Sequence, residues 1–153
     1  MTKLRLERDL PYTPVQLWEM VGDVERYPEF IPWIKSLRAY NRAAPDQDVV
    51  RFDADVVVGF KLLSERFSTR VTRAAAALLV DFDLIRGPFR KLQGRWTFTP
   101  SATGTMVAFD MDIDIKNPIL DAIFKANFNL AVSKLLAIFE TRARQLYGHG
   151  TLK

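Results

Sequence analysis

In this 153-residue chain, the first residues that could do chemistry are one carboxylate and one hydroxyl at strand spacing. Glu65 shares the period-two parity of Leu63, Phe67, Thr69 and Val71, so a strand here turns all five the same way. In a pocket, Glu65 would act as a general acid or a ligand anchor, and Thr69 would offer its hydroxyl. The plainer reading has a local twist turning Glu65 outward, or Arg66 or Arg70 pairing with it. Both readings stay open. His149 is the sole histidine and stands in the tail after the last helical segment, and there is no cysteine. That removes Ser–His and Cys–His nucleophile systems and metal sites built on His or Cys. Asp110, Asp112 and Asp114 alternate along one strand, which makes a solvated face rather than a loop gathering oxygens around a cation. No P-loop or GxGxxG motif is present. No catalytic residue, metal or cofactor is therefore expected.

Two further segments carry binding chemistry. Arg86, Arg90, Lys91 and Arg95 surround Phe89 at one turn, and Tyr27, Phe30 and Trp33 stand among prolines that stiffen Tyr27–Trp33. Basic and aromatic loops together suit an anionic membrane surface. They suit RNA equally, where arginine holds phosphate and rings stack on bases. A surface turn beside a folded hydrophobic plug is the third reading. DNA is not expected.

These groups need elements to hold them. The longest is Pro118 to Tyr147, opened by Asn117 as cap with proline at the first helical position and closed near Gly148. Leu120, Phe124, Phe128, Ala131, Leu135, Ile138, Phe139 and Leu146 form one stripe about 100° wide on this helix. As a straight rod it would span roughly 45 Å. Before it, Leu4, Leu6 and Leu10 mark a first strand, and Thr13–Gln16 has capping-box spacing for a short helix ending near Gly22. Asp23 caps a second turn through Arg26, which Pro28 should halt. Strands then follow. Leu37 and Ala39 lie in one, before a polar turn over 41–48. Val50 to Val58 alternates up to a turn at Gly59, and Leu78 to Leu84 and Leu92 to Phe98 come next. Val107 to Ile115 is the cleanest alternation.

Polar-out, apolar-in alternation means a sheet with one covered face, and only the long helix is available to cover it. The fold class is thus α+β, a helix-grip architecture: a curved antiparallel sheet of about seven strands around a long C-terminal helix, with two short helices after the first strand. A curved sheet and a straight helix do not pack flush, so an apolar pocket of ~300–1,000 Å³ is expected between them. Its expected lining is Trp33, Phe67, Phe82, Trp96, Phe98, Phe109, Phe124, Phe128, Leu135 and Phe139, with Glu65 and Thr69 as polar groups. Tyr27, Phe30, Phe89, Arg86, Arg90, Lys91 and Arg95 would form the mouth and its membrane or RNA contact.

Composition bounds the class. Hydrophobic residues make up 48% and charged ones 26%, the balance of a globular domain. The longest unbroken apolar run, Ala74 to Val80, is too short to span a bilayer. No signal-peptide core follows Met1, so a cytoplasmic location, peripheral at the inner membrane, is expected. One domain over residues 1–148 with a tail at 149–153 is the expected organisation.

The segments Val21-Gly-Asp-Val-Glu-Arg-Tyr-Pro-Glu-Phe-Ile-Pro-Trp33, Phe67-Ser-Thr-Arg-Val71 and Gly87-Pro-Phe-Arg-Lys-Leu-Gln-Gly-Arg-Trp-Thr-Phe98 resemble the coenzyme Q-binding protein family. That family lies within the polyketide cyclase/START (Bet v 1-like) superfamily. Phe139-Glu-Thr-Arg-Ala143 and Leu146-Tyr-Gly148 fit it as well, and Ile34 departs from it where relatives often carry cysteine. The resemblance implies a cavity for ubiquinone or another polyprenyl lipid, held as bound ligand in support of respiratory electron transport, and no catalysis. Relatives described as ribosome-association toxins make ribosome or rRNA binding the alternative. Polyketide cyclase-like catalysis ranks third.

Overall fold

The computed structural model describes residues 2–60 and 63–148. The Leu63 position and the tail with His149 lie outside the described residues or side chains. Seven strands form one antiparallel sheet: β1 (Thr2–Leu10), β2 (Ile34–Asp46), β3 (Val49–Phe60), β4 (Leu63–Ala74), β5 (Leu79–Arg86), β6 (Phe89–Ser101) and β7 (Gly104–Ile115). Their order is β1-β7-β6-β5-β4-β3-β2, so each strand from β2 to β7 neighbours its successor and β1 closes beside β7. Between β1 and β2 lie α1 (Pro14–Gly22), a 3-10 turn (Val24–Arg26) and α2 (Tyr27–Phe30), and α3 (Pro118–Tyr147) ends the chain. This is the expected helix-grip fold.

Local chemistry accounts for the ends of the helices. Thr13 Oγ1 accepts from the Gln16 backbone N–H while Gln16 Oε1 accepts from the Thr13 N–H, a reciprocal cap with Pro14 just inside. Asn117 Oδ1 accepts from the Ile119 and Leu120 amides at 2.8 and 3.3 Å, satisfying two orphan donors of α3.

Four local expectations are corrected. Pro28 does not halt the second turn; it sits in the first turn of α2, where a missing N–H costs nothing. The polar stretch after Tyr40 is not a turn but the second half of β2, which continues to Asp46. β2 is an edge strand solvated on both faces there, so no apolar alternation marks it. Gly59 lies within β3, its N–H donating to the Trp33 carbonyl at 2.8 Å. Finally, α3 is not straight. Pro118–Phe128 and Ser133–Tyr147 meet at 62°. Ahead of the bend, the Asn127 side-chain amide donates to the Ile123 carbonyl at 2.7 Å, competing with the backbone N–H for that acceptor. No single helix among the described residues is long and apolar enough to cross a membrane.

The core divides in two. The larger cluster packs α1, α2 and the C-terminal half of α3 on the concave sheet face, with Leu17, Val21, Ile31, Phe52, Trp96 and Phe139 buried. The smaller one has Leu92, Ile113 and Ile115 buried under Leu120 and Phe124 of the N-terminal half of α3.

Candidate functional site

The concave face carries a chain of rings. Phe82 tilts against Phe109 at 6.2 Å between centroids, Phe109 stacks on Trp96 at 4.3 Å, and Trp96 meets Phe139 edge-on at 5.2 Å. Phe139 then contacts both Tyr27 and Phe30 in T-shaped geometry. These pairs have the offset and edge-to-face arrangements that ring quadrupoles favour. At this end the space is filled. Trp96, Phe98, Phe109 and Phe139 are buried, and the hollow that Trp96, Phe98 and Phe139 share with Leu17, Met20 and Val107 holds only about 10 Å³. The roomy closed pocket expected under the whole helix is therefore absent from its C-terminal half. Helix and sheet do pack flush there, because α1 and α2 supply side chains that fill the difference in curvature.

The other half differs. Phe67, Phe82 and Met111 belong to the margins of both clusters and are only partly buried, and Phe124, Phe128 and Leu135 of α3 are likewise half-covered. Phe124 flanks the smaller cluster and meets Phe128 edge-on at 5.2 Å, and Leu135 flanks the larger one, so the six side chains mark an apolar row along the bend of α3. Gly94 makes room for it: a Cβ there would enter the Phe82 ring, so glycine lets that ring lie down on β6. At the rim, Phe67 meets Phe89 edge-on at 5.4 Å, and Gly87, with φ +155°, lets the 87–88 turn pass close over Phe67. Trp33 is half-buried against the core near Val58, the register partner of Glu65. Glu65 is partly exposed on this inward parity and pairs with no described residue. Thr69, two register steps deeper, is buried.

Tyr27 and Phe30, placed at the mouth by sequence, are folded inward on Phe139. Tyr27 donates its phenol hydrogen to the Val21 carbonyl, and burial pushes that phenol's pKa well up. Arg142 lies over the Phe30 ring at 4.8 Å. Both rings thus serve packing at this end of the sheet.

The basic run is dispersed as well. On the outer sheet face Arg95 makes two hydrogen bonds to Asp81 at 2.7 and 2.8 Å, Lys91 pairs with Asp112 at 2.7 Å, and Arg90 with Asp114 at 3.6 Å. Arg86 reaches Asp55 at 3.8 Å. The alternating aspartates of β7 are thus partners of these cations, and Asp110 pairs with Arg5 at 2.6 Å. A trough of about 600 Å³ on this outer face is lined largely by such charges, Lys3, Asp81, Asp83, Arg95 and Asp112 among them, and is no place for an apolar ligand.

Sequence reasoning missed Met111, whose parity was legible but whose partial exposure depends on the bend. It also missed Gly94, for which glycine inside an inward-facing strand was the available signal. The acid pair Asp53 and Asp55 carried no motif. Asp55 accepts from Ser68, Tyr40 and Arg38, and Asp53 from Asn41 and Arg70. The Ser68 hydroxyl first, and the Asn41 amide first, hold these two carboxyls below the usual carboxylate range.

A long helix over a curved seven-stranded antiparallel sheet, with an apolar row between them, defines a START/Bet v 1-like helix-grip protein. More particularly, the chain belongs to the family described as polyketide cyclase / dehydrase and lipid transport, whose model matches residues 10–140. It is 33% identical over 140 residues to the ribosome association toxin RatA of Rickettsia prowazekii, covering 90% of this chain and 92% of that one. It is 22% identical over 146 residues to the mitochondrial coenzyme Q-binding protein COQ10 of Drosophila melanogaster, covering 93% of this chain and 58% of that protein. Among solved structures, the 18 kDa protein CC1736 of Caulobacter crescentus superimposes with a TM-score of 0.83 at 44% identity, over 97% of this chain and 99% of that one. The Zhui aromatase/cyclase of Streptomyces sp. R1128 does so at 0.74 with 13% identity, over 98% and 99%, so the fold is shared with enzymes.

Proposed function

We propose that the chain binds an elongated apolar molecule of the polyprenyl-quinone type along the row Phe67, Phe82, Met111, Phe124, Phe128 and Leu135, and delivers it without chemical change. The observation that carries this reading is the row itself: apolar side chains left half-covered between two packed clusters, beneath a bent helix. A ligand tail seated there would remove apolar surface from water at about 25 cal/mol per Å², before ordering costs. Because the C-terminal half of α3 closes over a hollow of only about 10 Å³, entry requires the N-terminal half to lift. A quinone headgroup offers hydrogen-bond acceptors only, so the Thr69 hydroxyl is its natural donor on this face. The family description includes lipid transport, and one relative is named for binding coenzyme Q. Among the described residues Glu65 stands without a base partner at its side, which supports a carrier over a cyclase.

The test is transfer. Delipidated protein is mixed with vesicles containing ubiquinone, re-isolated and extracted with organic solvent. Quinone should co-purify with the protein, and Met111→Glu, which puts a charge into the row, should weaken uptake about tenfold, the equivalent of ~1.4 kcal/mol. No quinone on the wild-type protein ends the proposal.

Ribosome contact is a second reading, favoured by the name carried by relatives at 30–33% identity over about nine-tenths of this chain. The pairing of Arg90, Lys91 and Arg95 with aspartates argues that such contact runs elsewhere on the surface.

A further inference from the structure

The outward side chains of β2, β3 and β4 differ from the rest of the outer sheet face. Register places Arg38, Arg51, Arg66 and Arg70 there, with Arg86 joining from the end of β5. Against these five arginines stand, among the described residues, Asp53, Asp55 and Asp83, with Asp46 at the far end of β2. Toward β6, β7 and β1 the balance reverses, because Asp81, Asp110, Asp112 and Asp114 occupy the cations present.

The arrangement on the arginine side is layered. Asp53 is buried and Asp55 is one-third exposed, at 33%, while Arg38, Arg70 and Arg86 stand 73%, 55% and 70% exposed above them. Each carboxylate is already satisfied from below, Asp55 by Ser68 and Tyr40 and Asp53 by Asn41, so it anchors guanidinium groups without using up their donors. Arg38 contacts Asp55 through one Nη at 3.0 Å, and its guanidinium also lies over the Tyr40 ring at 4.8 Å. Arg51 and Arg66 are exposed and have no carboxylate partner among the described residues. The result is a rigid platform of planar, multidentate donors with surplus positive charge, held on strands rather than on a loop.

We infer that the outer face of β2–β4 is a docking surface for the phosphate backbone of structured RNA. This deepens the ribosome reading and rests on it. Guanidinium forks match phosphate oxygens in pairs, and strands fix their spacing. A membrane is the less suitable polyanion, because the outward parity between Arg38 and Arg70 offers almost no apolar side chain for insertion.

The probe is a labelled RNA duplex of roughly 20 base pairs titrated with the full chain at several salt concentrations. Binding should weaken steeply with salt. Arg51→Ala with Arg66→Ala removes two cations that hold no carboxylate among the described residues, and it should lower the salt slope by about 2. Arg90→Ala with Lys91→Ala should leave the slope unchanged. The proposal is overturned if the duplex shows no salt-dependent binding, if the first variant keeps the wild-type slope, or if anionic vesicles bind the chain and RNA does not. Co-sedimentation with purified ribosomal subunits separates the two levels. Pelleting that ignores Arg51→Ala with Arg66→Ala removes this face and leaves the ribosome reading; absent pelleting with intact duplex binding removes the ribosome and keeps the face.

Discussion

Gly94 and Asp55 each fix something larger than themselves. Gly94 is the floor on which Phe82 lies, so Gly94→Ala drives that ring up into the apolar row. Overpacking of this kind costs about 1–3 kcal/mol, readable as a lower midpoint in urea. Quinone uptake should fall with it. Pairing the change with Phe82→Ala removes the clash, so the double variant should be less destabilised than the two single effects added together. Asp55 makes a prediction in pH. Its folded-state carboxyl is held below the ordinary range, first by the Ser68 hydroxyl and then by Tyr40 and Arg38. The folded state therefore binds this proton less readily than the unfolded chain does. The stabilisation is fully present above about pH 4, the unfolded value, and is lost as pH falls through the lower folded value. Melting curves of wild type and Asp55→Asn should differ most near neutrality and converge in acid. A gap that stays constant down to the lowest accessible pH would assign Asp55 no part in acid unfolding.

At the level of elements, legibility followed burial. β3 and β7 announce themselves because one face is buried and the other charged, and the α3 boundaries follow from Asn117, Pro118 and Gly148. The distal half of β2 was invisible for the opposite reason: on an exposed edge, neither face has to be apolar. Asn41 takes a left-handed conformation at φ 55°, and register shifts at Tyr40/Ala43 and Ala43/Asp46 break any residual alternation. The bend of α3 was equally hidden. Its apolar stripe has helical period throughout, and nothing in that period reports that Asn127 turns back onto Ile123. Yet the bend separates filled core from half-covered row. Trp96, Phe98, Phe109 and Phe139 became packing, whereas Phe67, Phe82, Phe124, Phe128 and Leu135 remained available. The basic run failed as a patch because Arg90, Lys91 and Arg95 each meet an aspartate from a neighbouring strand, a pairing across the sheet that sequence order does not report.

Taken whole, the molecule is held unevenly. The C-terminal half of α3 is tied down many times over: Phe139 and Ala143 are buried, Arg8 pairs with Glu140 at 2.8 Å, Tyr147 donates to the Gln16 carbonyl at 2.9 Å, and Tyr12 donates to the Gly148 carbonyl at 2.8 Å. The N-terminal half rests on Leu120 and Phe124 above a cluster of three buried residues, with Ile119 and Leu130 exposed at 71% and 59%. Local opening free energies follow such differences in buried contact, so the two halves should open separately. Native-state hydrogen exchange should show amides of 119–128 exchanging faster than those of 136–147 in the ligand-free chain. A tail lying along Phe82, Met111, Phe124 and Phe128 touches the second half only through Leu135, so saturating ubiquinone should slow exchange at 119–128 far more than at 136–147. Uniform protection along α3 without ligand would mean that the helix is one cooperative unit, and the row beneath its bend would then have no door.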